Sequence, residues 1–209
     1  AALALNENDS AARTRYARLL LVLGRFDQAE QQLQRVRKLD PVSLTTGATL
    51  ANCYYLNRQY DRALQQIKSV LELEPGFMVA ADLKADILVE LRQYREAISI
   101  YEKEVADQPD DAGALASLVR AAILAGDHTT SKIALARFQK LAESKPINPS
   151  AAAIVQLALR KHDAAIAQLQ EGFRQRYWPL IFLKVSPLWD PLRERPAFVA
   201  LEHPHREAH

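Results

Sequence analysis

Cysteine is almost missing from this chain. Cys53 stands alone among 209 residues, so no disulfide can form within one molecule and packing must hold the fold. Glycine is scarce, at 6 residues, and no Gly-rich phosphate loop occurs. No stretch approaches the roughly 20 apolar residues that cross a bilayer, which argues against membrane insertion by this segment. No run of alternating β-branched residues announces a sheet. Neither sign of charge dominates: 27 basic and 25 acidic residues leave +2, without the basic stripe of a nucleic-acid surface. No Ser/His/Asp arrangement and no paired metal motif appears, and the carboxylates are scattered. The sequence therefore predicts no catalytic site, no metal and no cofactor.

What is abundant is helix-forming residue types, Ala, Leu, Gln, Arg and Glu, and a period. Pro41, Pro75 and Pro109 are 34 residues apart, as are Ala29, Ala63 and Ala97, and Phe26, Tyr60 and Tyr94. A fixed period of this length means one structural unit copied and stacked. Each unit reads as two amphipathic helices. In the first, Ala17, Ala51 and Ala85 precede Leu20, Tyr54 and Leu88 by three residues, which puts both on one helix face. Polar breaks follow at 23–25, 57–59 and 91–93. In the second helix the aromatic comes first, the alanine three residues later, then Leu33, Ile67 or Tyr101. The helix ends ahead of the proline, which cannot extend it. Alanine at a tight helix crossing admits close approach, and neither helix buries its apolar face without its neighbours.

This pattern resembles the tetratricopeptide repeat, tightly over residues 10–111. The resemblance implies an all-α, right-handed α-α superhelix. Its expected parts are the end of a preceding repeat helix at 1–9, repeats at 10–43, 44–77 and 78–111, degenerate repeats at 112–145 and 146–176, and a C-terminal cap and tail at 177–209. Residues 2–9 read as a last helical turn and exit loop, so the chain is expected to begin inside a longer protein. There are departures. Arg13, Gly47 and Ala81 replace the frequent Trp of the first helix, and Lys84 takes a site that is usually apolar. In the fourth unit Gly126 marks the turn, His128 takes the aromatic site, Ser131 the alanine site and Leu135 the large site. Glu143 stands where proline was due, so that helix is expected to run to about Ser144. Asn148 and Pro149 read as cap and first residue of a shorter helix, and His162, Ala165 and Leu169 restore the frame. His128 and His162 are expected at the edge of the core.

The tail, with Trp178, Phe182-Leu183-Lys184, Pro187, Asp190-Pro191-Leu192-Arg193 and Pro196-Ala197-Phe198, is expected to form short helices folded onto the last repeat. It is similar to the C-terminal repeat region of bacterial signalling proteins, including winged-helix regulators of the CadC type and some multidomain cyclases and kinases. That likeness implies a sensory or interaction module attached to an output domain. It leaves the compartment open: cytoplasmic, or periplasmic if the parent is a membrane-bound regulator of the CadC type.

In tetratricopeptide arrays the first helices line a concave groove. By resemblance the groove columns here are Arg18, Asn52, Asp86 and Arg120; Leu21, Tyr55, Val89 and Ile123; and Thr14, Ala48, Asp82 and Ala116, and Thr45 is counted among the groove residues. The expected partner is a protein or peptide, with self-association as the alternative. The Lys/Asn/Arg clamp by which some family members hold a C-terminal carboxylate is not expected, because Thr14, Arg18, Thr49, Val79 and Leu83 occupy its positions. Cys53 reads as a buried, inert thiol. His203, His205 and His209 read as part of a frayed tail rather than a metal site.

Overall fold

The computed structural model describes residues 9–202. Among them are eleven α-helices and two 3-10 helices, and no strand. The helices are α1 Ser10–Val22, α2 Phe26–Leu39, α3 Leu44–Leu56, α4 Tyr60–Leu73, α5 Met78–Glu90, α6 Tyr94–Asp107, α7 Ala112–Ala125, α8 His128–Ser144, α9 Pro149–Ala158, α10 His162–Arg174 and α11 Pro196–Glu202. The 3-10 helices are Trp178–Phe182 and Pro187–Leu192. Residues 1–8 and the tail histidines lie outside the described residues.

Local chemistry sets the helix ends. Asp9, Ser43, Asp111, Asp127 and Asn148 each accept a hydrogen bond from a backbone N–H of the first turn they precede. Such a cap supplies a partner to a donor that the helix itself leaves unpaired. The turns after the first helices share one geometry. Residues 24, 58, 92, 126 and 160, each 34 apart, all have φ between 57° and 73°. At 24, 58, 126 and 160 this residue donates to a carbonyl three residues back. The next residue donates to a carbonyl five residues back, as in Arg25 to Leu20 (2.8 Å) and Gln59 to Tyr54 (2.8 Å). This is the Schellman stop, which favours glycine for its left-handed residue. The chain meets that preference with Gly24 and Gly126 and opposes it with Arg58, Arg92 and Arg160. Arg176 closes α10 the same way, at φ 53°.

The alanine sites are the helix crossings. Ala17, Ala51, Ala85, Ala29, Ala63 and Ala97 are all fully buried, and Leu20, Leu33, Tyr54, Ile67, Leu88 and Tyr101 are buried beside them. Gly47 belongs to the same logic: a Cβ there would meet Val70 Cγ2 at 2.6 Å, so α3 and α4 cross closer than even alanine allows.

The chain divides into two compact units. The first runs to Leu91 and also includes Lys184–Pro187; the second takes Arg92–Leu183 and the chain from Leu188. Within the first, α1 pairs with α2 and α3 with α4, α2 packs on α3 and α4 on α5, and the first helices α1, α3 and α5 touch in sequence. Within the second, α6 packs on α7 and α7 pairs with α8, but α9 packs mainly on α7 and pairs with α10. The stacking therefore changes at α9. Buried small residues allow it: Ala116, Ala121 and Ala122 on α7, and Ala151 and Ala153 on α9.

Two expectations are corrected. His128 is exposed rather than at a core edge; His162 is half-buried, with Nδ1 at 2.6 Å from an Arg195 guanidinium nitrogen. The tail does not lie wholly on the last repeat. The helix Trp178–Phe182 and α11 do pack on α10, and Leu180, Leu183, Trp189, Leu192 and Phe198 are buried. Gly172 makes room there, since a Cβ would meet Leu180 Cδ1 at 2.6 Å and Pro149 Cβ at 3.1 Å. Lys184–Pro187, by contrast, belongs to the first unit. The reason is its own chemistry: Val185 and Pro187 are apolar and buried there, and the Val185 carbonyl accepts a hydrogen bond from Arg58 at 2.8 Å.

Candidate partner-binding surface

The period places equivalent residues on neighbouring first helices. In the first unit Arg18, Asn52 and Asp86 occupy one register position on α1, α3 and α5, and these helices touch in order. Arg18 is exposed, and Asn52 and Asp86 are half-buried. Thr45 and Asp82 are exposed. This row offers a cation, an amide and a carboxylate in sequence, a set that reads backbone and polar side chains by hydrogen bonding.

The apolar column behaves differently. Leu21 is 0% exposed, Val89 3% and Tyr55 5%, so these side chains serve the protein's own packing before any partner's. Tyr55 lies 6.1 Å from the Tyr60 ring, tilted by 53°. Thr14 is 9% exposed, and its hydroxyl donates to the Ser10 carbonyl at 2.8 Å, within its own helix. Arg120 is half-buried on α7 in the second unit. The accessible part of the expected surface in the first unit is therefore polar, and its apolar floor is covered.

Sequence reasoning passed over two features. One is Arg58, whose guanidinium nitrogen Nη1 donates to the carbonyls of Leu56 and Val185. The glycines at the equivalent positions 24 and 126 were the available signal that residue 58 is left-handed. The other is a cluster joining three helices. The Tyr54 hydroxyl donates to Glu30 Oε1 at 2.9 Å and accepts from Arg62 at 3.0 Å. Arg62 also bonds Glu30 at 2.8 Å, with its guanidinium carbon 4.0 Å from the Tyr54 ring centroid. Burial first, and then the hydrogen bond to Glu30, raise the Tyr54 pKa. Beside it Cys53 is buried, with Sγ 3.6 Å from the Phe26 carbonyl oxygen. Burial above all, with the nearby Glu30 charge, pushes its thiol up to about 12.

A hollow of about 460 Å³ is lined by Asp27, Glu30, Gln31, Gln34, Arg35 and Lys38. Their spacing makes them one stripe along the single helix α2. Among the described residues no three His, Cys, Asp or Glu side chains group to hold a metal, and no helix is long and apolar enough to cross a membrane.

Comparison with known proteins fits this construction. The tetratricopeptide repeat family matches residues 1–45 and again residues 83–146. A second family, anaphase-promoting complex, cyclosome, subunit 3, matches residues 38–104. The fold is that of the tetratricopeptide repeat. Solved tetratricopeptide-type structures are similar over most of the chain. PilW, described as a widely conserved type IV pilus biogenesis factor, superposes with a TM-score of 0.63 at 21% identity, covering 83% of this chain and 82% of PilW. A thermophilic tetratricopeptide protein of Thermus thermophilus gives 0.62 at 20% identity, covering 84% of this chain and 96% of its own. YrrB, described as having an unusual peptide-binding site, gives 0.56 at 17% identity, covering 88% and 94%. No curated protein matches the chain by sequence. In tetratricopeptide terms, Arg18, Asn52 and Asp86 lie on the first helices of three successive repeats, and Arg58 lies in the turn of the second.

Proposed function

We propose that this chain is a non-enzymatic module that binds a protein or peptide along the first helices of its leading repeats. The observation that carries the reading is the row of Arg18, Asn52 and Asp86, one polar side chain per repeat at one register position on helices that touch in order. A stacked scaffold holds such a row in place before a partner arrives, so little order is lost on its side when binding occurs. The description of YrrB by its peptide-binding site and of PilW as a biogenesis factor is in keeping with an interaction role. The single-helix character of the α2 hollow favours a binding surface over a catalytic pocket. Placement within a larger bacterial signalling or transcription-regulatory protein rests on the residues of the tail alone.

Selection of peptides from a displayed random library tests the reading. Peptides enriched on the natural chain should bind at least about tenfold more weakly to the triple variant Arg18→Ala, Asn52→Ala, Asp86→Ala, the factor expected for losing a hydrogen bond to a charged group. Undiminished binding by the triple variant would remove the row from the account.

Self-association is a second reading, with one observation in its favour. Tyr16, Leu19 and Leu23, at spacings of three and four, form an exposed apolar stripe on α1 and its cap. Light scattering across a concentration series distinguishes the readings: a mass that doubles with concentration, and returns to one chain in Leu19→Glu, selects self-association.

A further inference from the structure

The segment Lys184–Pro187 is part of the first unit although the residues on either side of it, Leu183 and Leu188, are not. Its contacts fall on one structural position in two successive repeats. Val185 lies over Gly24, where an added Cβ would come 3.7 Å from Val185 Cγ1. The Val185 carbonyl accepts from Arg58, 34 residues further on and at the same left-handed turn position. The segment thus runs across the turns of the first and second repeats, at the ends of α1 and α3. Val185 is buried, as is Pro187, and Leu21 and Tyr55, one helical turn before Gly24 and Arg58, are buried too. Arg58 is held in a backbone conformation that favours glycine, and glycine stands at the equivalent positions 24 and 126. Arg92 and Arg160 share that conformation, and at Arg58 one guanidinium nitrogen bridges the carbonyls that end α3 and centre the segment.

We propose that Val185 and its neighbours are a built-in ligand of the first unit, an extended piece of the protein's own chain that covers the end of the first-helix surface and competes with an external peptide for it. This rests on the first-helix binding surface proposed above. The recognition chemistry follows from the contacts: an extended segment with a β-branched side chain over a glycine turn, presenting a main-chain carbonyl to an arginine. An external partner that reaches this end of the surface must displace the segment and offer Arg58 a carbonyl of its own.

Two readouts on the full chain test this. Trypsin cuts after Lys184 only when the segment is released, so the cleavage rate at that bond, followed by mass spectrometry, reports the tether without any partner. Arg58→Gly keeps the left-handed turn and removes the guanidinium; it should speed that cut by about tenfold, the factor of one hydrogen bond to a charged group. Arg160→Gly, the same change in the last repeat, should leave it unchanged. The second readout is a fluorescent acetyl-Leu-Lys-Val-Ser-Pro-Leu-amide peptide, titrated by polarisation. Val185→Asp should expel the segment and bind this peptide at least tenfold more tightly than the natural chain does, and adding Arg58→Gly should abolish the gain. Equal cutting in Arg58→Gly and the natural chain would overturn the proposal. So would peptide binding no tighter in Val185→Asp. The outcomes separate from those of the binding surface: a faster cut in Arg58→Gly, with library peptides indifferent to Arg18, Asn52 and Asp86, keeps the tether and discards the surface.

Discussion

Residue identity matters most here where space is least. Ala63 is fully buried at a helix crossing, and Leu in its place must push the helices apart. Ala63→Leu should cost on the order of 1–3 kcal/mol in urea unfolding, the range for overpacked cores. The reverse case is backbone strain. Arg160 adopts φ 58°, a conformation that costs an ordinary side chain roughly 1–2 kcal/mol and glycine nothing. Arg160→Gly should therefore raise the free energy of urea unfolding, by up to about 1 kcal/mol after the greater freedom of glycine in the unfolded chain is deducted. Cys53 makes a third case. Its thiol is raised to about 12 in the folded chain, above its ordinary value. A raised acid holds its proton in the fold and releases it first in the unfolded chain, so any stability linked to it is intact below pH 9 and is lost as pH rises from there toward 12. At pH 8 a thiol reagent should label Cys53 only as fast as the protein opens; immediate labelling would contradict its burial.

Between elements, one cluster does what single crossings cannot. Glu30 on α2, Tyr54 on α3 and Arg62 on α4 share hydrogen bonds, so the second helix of one repeat is tied to both helices of the next. The Arg62–Glu30 pair is half-exposed and contributes little alone. The Tyr54 hydroxyl is the buried partner, and Tyr54→Phe should cost about 1 kcal/mol, with Arg62→Gln costing less; denaturant curves for the two variants decide the order. This level also shows how far the sequence could be read. The repeated alanines and prolines gave the helices and their crossings because they answer to local sterics, which the period exposes. The left-handed turns were half legible: Gly24 and Gly126 announced them, while Arg58, Arg92 and Arg160 concealed them. The change of stacking at α9 was not legible, because it depends on α7 and α9 finding each other across α8. The same limit hid Val185, whose partner Arg58 is 127 residues away.

For the whole chain, the repeat pattern gives a scaffold, and the question is which part of it meets a partner. The burial of Leu21, Tyr55 and Val89 narrows the groove expected from the sequence to its polar row. Titration calorimetry with a library-selected peptide tests that row most directly, using the natural chain and the triple variant Arg18→Ala, Asn52→Ala, Asp86→Ala after matching their melting curves. The row predicts a dissociation constant at least about tenfold higher in the triple variant, as for loss of a hydrogen bond to a charged group. Equal dissociation constants in two equally folded proteins would contradict it.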